Sequence, residues 1–129
     1  MSAWRQKAID CLPELKQEFE SPETSIYDVF IEMRTALVEF HKSDNKERVR
    51  KIYDFAEWCF FQKSKDLWNA AGVSFYEHLG DYPETLKEMK RWVKPKIYAD
   101  IRGLLELRLS LKDMNDLDTA YRWPNTQRK

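Results

Sequence analysis

Leu67, Ala71, Phe75 and Leu79 recur every fourth residue, which places them along one face of an α-helix. Between them Ala70, Gly72, Val73 and Ser74 are small, so this cylinder can be approached from more than one side. Glycine inside a helix costs about 1 kcal/mol relative to alanine, and Gly72 is therefore expected to serve close approach by another helix. Gly80 supplies a left-handed stop, and Tyr82-Pro83 starts a new segment. A helix that must be touched on several sides reads as the centre of a small helical domain.

The flanking segments supply the neighbours. Ser2 can cap a first helix through Ala8, Ile9, Cys11 and Leu12, and Pro13 kinks or splits the arm before Ser21-Pro22 breaks the chain. Ser25-x-x-Asp28 is a capping signal for a helix with Ile26, Val29, Phe30, Met33, Leu37 and Phe40 in one stripe. Asp44-x-x-Glu47 opens another, whose face of Val49, Ile52, Tyr53, Ala56, Cys59 and Phe60 is widened by Phe55, Trp58 and Phe61. Ser64 caps the central helix. Pro83 opens a short helix closed by Lys94-Pro95, and the last helix carries Ile97, Ile101, Leu104, Leu105 and Leu109, with Gly103 hinting at close packing. From Asp113 the pattern dissolves. Residues 1–112 are thus expected to form the helical domain and 113–129 a C-terminal tail, of which Tyr121 and Trp123 are the residues suited to docking. No period-2 strand is visible. The expected fold is all-α: a single-domain irregular bundle of five to six antiparallel helices with HEAT-like stacked helical hairpins.

At 129 residues with 14% aromatic side chains, the chain has large packing units for one core. Cys11 and Cys59 fall among apolar neighbours and read as buried free thiols; no CxxC or Cys/His spacing suggests zinc. The amino-terminal segment has no apolar signal-peptide core, and no apolar run approaches the roughly 20 residues that span a bilayer. A cytoplasmic protein is expected.

Chemistry-bearing patterns are sparse. His41 and His78 both lie near helix ends, where a cation complements the helix dipole, and neither belongs to a metal-binding motif. Three glycines cannot build a phosphate cradle. No enzymatic activity, cofactor or metal is expected.

Charge is uneven although Lys plus Arg and Asp plus Glu both number 22. Asp10, Glu14, Glu18, Glu20, Glu23, Asp28 and Glu32 stand against Lys16 alone, whereas Lys87 to Lys112 is mostly basic. Two solvated faces that attract each other within the fold would explain this. An acidic surface that steers a basic partner would explain it too. Overall neutrality gives no bias towards nucleic acid.

Asn69-Ala-Ala-Gly-Val-Ser-Phe-Tyr-Glu-His-Leu79, Pro83-Glu-Thr-Leu86, Lys94-Pro95-Lys-Ile-Tyr98 and Tyr53-Asp-Phe-Ala-Glu-Trp58 together resemble a family of small all-helical bacterial proteins. The resemblance covers roughly Pro13 to Leu109 and rests on packing motifs. Such proteins are often encoded beside polymorphic or contact-dependent toxins. The resemblance implies an immunity protein that binds one cognate toxin domain, such as a nuclease, and occludes its active site. It carries no catalytic residues. Glu14, Glu18, Glu20, Glu23 and Asp28 are the expected contacts with that partner, and no membrane is involved. The alternative is a helical adaptor that binds another cytoplasmic protein through the basic Lys87–Lys112 region.

Overall fold

Ser2 opens the first helix, its hydroxyl accepting the Arg5 N–H at 3.4 Å, and α1 runs Ala3–Cys11. The computed structural model describes residues 1–124, and every regular element among them is helical. Pro13, lacking an N–H, ends α1 and splits the arm into a single 3₁₀ turn, Pro13–Leu15, and α2, Lys16–Glu20. α3, Ile26–Lys42, begins with a complete capping box: the Ser25 hydroxyl accepts the Asp28 N–H at 3.1 Å and the Asp28 carboxylate accepts the Ser25 N–H at 3.0 Å. The turn Ser43–Asn45 sends α4, Lys46–Phe60, back along α3. Its cap is Asn45 rather than the expected Asp44, which instead takes the left-handed conformation at φ 56°.

The central stretch departs from the expected single α-helix. α5 spans only Lys65–Ala70; a π-helical turn, Ala71–Phe75, and a 3₁₀ segment, Tyr76–Asp81, continue it. A π turn spends one extra residue per turn, which shifts the register of everything after it. Consecutive Phe75 and Tyr76 are consequently both buried, at 0% and 1% exposure. They join an aromatic core drawn from α3, α4 and the central stretch itself. Phe30 lies 5.3 Å from Phe55 and 5.6 Å from Phe75, and Tyr76 lies edge-on to Phe60 at 5.5 Å.

The glycines also differ from expectation. No glycine has positive φ among the described residues, so Gly80 is not a left-handed stop. It is instead the site of closest approach, because an added Cβ would lie within 3.0 Å of the Leu109 Cγ. At Gly72 a Cβ would meet Leu104 Cδ1 at an ordinary 3.8 Å, and at Gly103 it would meet nothing within 4 Å.

Two single-turn helices come next, α6 (Pro83–Leu86) and α7 (Met89–Trp92), then α8 (Pro95–Glu106). The expected tail is largely a ninth helix, α9 (Leu111–Tyr121), capped by Ser110. Met114, Leu117 and Tyr121 bury its inner face. Tyr121 stacks on Tyr98 at 4.0 Å, and its hydroxyl lies 3.0 and 2.6 Å from the carbonyl oxygens of Met89 and Val93. Arg102 grips the Asp118 carboxylate with two N–H donors at 2.8 and 2.6 Å. Residues 125–129 of the expected tail lie outside the described residues. No described helix is long and apolar enough to cross a membrane.

Candidate partner-binding surface

The five acidic residues singled out from the sequence are all exposed, yet they do not form one free surface. Glu14 lies 2.6 Å from the guanidinium of Arg48 on α4, and that hydrogen bond holds its carboxyl below the usual carboxylate range. Glu20 pairs with Lys16 at 3.5 Å. Asp28 is committed to the capping box of α3. Glu18 and Glu23 are left with no cation within ion-pair distance among the described residues. Glu18 also approaches Glu32 on α3. Burial first, then the charge and hydrogen bonding of Glu18, hold the Glu32 carboxyl above its ordinary value. Glu32 belongs with this surface although it was not among the five expected contacts.

Arg5 fixes the loop that presents these groups. Its guanidinium donates to the carbonyl oxygens of Phe19 (2.8 Å), Ser21 (2.7 Å) and Thr24 (2.9 Å), and stacks on Trp4 at 4.5 Å. One planar cation thereby satisfies carbonyls at the end of α2 and along the loop into α3. Only its position opposite a helix end reveals this role, and the sequence spacing does not give it.

The basic stretch does not neutralise the acidic one. The ion pairs it makes among the described residues lie elsewhere: Lys94 with Glu57 on α4 at 2.6 Å, Arg102 with Asp118, Arg108 with Asp81 at 2.8 Å and Lys112 with Asp116 at 2.8 Å. Trp92 and Tyr98 are packing groups, Trp92 stacking on Tyr53 at 5.5 Å and Tyr98 fully buried.

A second feature is an apolar groove of about 430 Å³ where the end of α4 and α5 face α8. Phe61 and Trp68 flank it with 47% and 41% of their surface exposed. Val73, Ile101 and Leu104 line it, and Gly72 of the π turn also borders it. π-helical turns recur at functional positions because they redirect side chains locally.

The thiols and imidazoles serve packing and pairing. Burial pushes both Cys11 and Cys59 up to about 12, which keeps them protonated at neutral pH, and both are free. His41, expected as a cation at a helix end, is instead partly buried, with Nε2 3.3 Å from the Tyr53 hydroxyl; desolvation draws it below the ordinary imidazole value. His78 Nδ1 lies 2.8 Å from Asp81, which Arg108 also grips. Among the described residues no group of three or more His, Cys, Asp or Glu is placed to hold a metal ion.

No curated protein and no solved structure matches the chain. A family model does: residues 5–107 match the domain of unknown function DUF7674, and since that span is most of the molecule, the chain belongs to this family.

Proposed function

We propose that the protein is a cytoplasmic immunity protein, which binds a basic toxin domain through the surface of α2 and the start of α3 and covers its active site. The observation that carries this reading is the unneutralised charge at Glu18, Glu23 and Glu32. Partial burial first, and then the neighbouring Glu18 carboxylate, raise the Glu32 proton affinity. Like charges held together favour a partner that brings lysine or arginine between them, and the same field speeds encounter. Arg5 holds the loop in place before binding, so less ordering entropy is lost in the complex. Neutralisation by occlusion asks for no reactive group from this chain, in keeping with two thiols held protonated.

The test is capture of the tagged chain from its native cells together with the product of the adjacent upstream gene. A one-to-one complex with a toxin domain, and lost toxicity in its presence, is the expected result. The triple variant Glu18→Lys, Glu23→Lys, Glu32→Lys should weaken that complex about tenfold or more while leaving the melting curve cooperative. Unchanged affinity in the reversed protein would sink the acidic-surface reading.

A further inference from the structure

We propose that the groove flanked by Phe61 and Trp68 receives an amphipathic α-helix of the basic partner, with a lysine or arginine of that helix set against Asp100. This deepens the immunity reading and rests on its basic partner. Two large aromatic side chains left about half exposed on one groove are the kind of anchor site that dominates protein interfaces. The Asp100 carboxylate lines the same groove and is exposed, without a cation within ion-pair distance among the described residues. Lys96, one turn earlier on α8, lies over the Phe61 ring at 5.3 Å. With Lys96 held over the Phe61 ring, Asp100 is the charged residue that lines the groove itself, and it selects an apolar stripe edged by a cation.

The occupant is helical because the walls are helices. No strand exists among the described residues, so an extended segment would find no edge to satisfy its backbone, whereas a helix satisfies its own. One side-chain hydrogen bond ties the groove to α3, which carries part of the acidic surface. Asn69 lines the groove and donates from its side chain to the Tyr27 hydroxyl at 3.0 Å. Tyr27 adjoins Asp28 on α3, one turn before Ile31, which is 47% exposed, and Glu32.

The test titrates the isotopically labelled chain with a synthetic amphipathic helix of leucine and lysine, and with its leucine–glutamate counterpart. The lysine peptide should shift the Trp68 indole and the Gly72 and Asp100 amides. Trp68→Ala and Asp100→Lys should each weaken it about tenfold, and the glutamate peptide should bind at least that much more weakly. Both side chains are exposed, so neither substitution opens the core. Shifts confined to Glu18, Glu23 and Glu32 would overturn the groove while leaving the acidic-surface reading intact. Groove shifts whose affinity ignores the triple charge reversal would support the groove and count against that reading. Equal binding of both peptides, or a dimer in sedimentation that Trp68→Ala disperses, would overturn the proposed occupant.

Discussion

Arg5 satisfies three carbonyl oxygens at once, and a lysine in its place has neither the planar fork nor the reach to do so. Hydrogen bonds to a charged group contribute about 1.5–3 kcal/mol, and this group is partly buried. Arg5→Ala should lower stability by about 2 kcal/mol in urea denaturation, and Arg5→Lys should recover less than half of that. If Arg5→Lys were neutral, the three-carbonyl clamp would not be what holds the loop. The glycines make opposite predictions from one another. Gly103 is exposed inside α8 with open space beyond it, so Gly103→Ala should raise stability by about 0.5–1 kcal/mol. Gly80→Ala would drive a methyl into Leu109 and should lower stability by about 1–3 kcal/mol. Denaturation midpoints of the two variants should move in opposite directions. Composition marks both positions alike; only the neighbouring side chain separates them.

At the scale of the element, α9 shows what a sequence pattern does and does not reveal. Met114, Leu117 and Tyr121 have helical spacing, and Ser110-x-x-Asp113 carries a cap, so the signal was present. Asp, Asn and Thr between them dilute hydrophobicity, and the partners that bury this face lie on α7 and α8. The capping box at Ser25 and Asp28 was legible because both halves lie within one turn of sequence. The π turn was not, since its register shift answers to Phe30 and Phe60 on other elements. The same limit explains the candidate contacts. Periodicity places Glu14 on an exposed face, but Arg48, which occupies it, is found only through space, whereas the engagement of Asp28 by Ser25 is already carried by the local capping signal. The docking of α9 is also expected to depend on pH. Hydrogen bonding from Arg102 holds the Asp118 carboxyl below its ordinary value near 3.9. Because the folded value lies below the unfolded one, this stabilisation is full above the unfolded value and is lost as pH falls through the folded value. Asp118→Asn should therefore lower the urea midpoint most at neutral pH, with the deficit shrinking towards about pH 3. A deficit independent of pH would show that the pair contributes through shape rather than charge.

For the molecule as a whole, the question is whether the family-matched span is a sufficient folding unit. That match ends at residue 107, and α9 begins at Leu111. Yet Tyr121 covers Tyr98, and its hydroxyl meets the carbonyls of Met89 and Val93. Met89, Val93 and Tyr98 are at most 1% exposed and belong to the same continuous core as Phe30 and Phe75. Removing α9 would therefore open the main core from one side instead of stripping an appendage. Burying one large apolar side chain contributes about 1.5–3 kcal/mol, and α9 buries Met114, Leu117 and Tyr121. A domain's whole stability is about 5–15 kcal/mol, so that loss is of the same order as the total. The Arg102–Asp118 pair would be broken with it, leaving the partly buried Arg102 side chain without its bidentate partner. A chain ending at Leu109 is expected to lose its cooperative thermal transition and to elute as an expanded or associated species in size exclusion. A cooperative, monomeric truncation would mean instead that residues 1–109 close their own core, and that α9 docks onto a domain already folded. Adding the separate α9 peptide distinguishes the two cases: recovery of a sharp transition with the peptide present places α9 inside the folding unit.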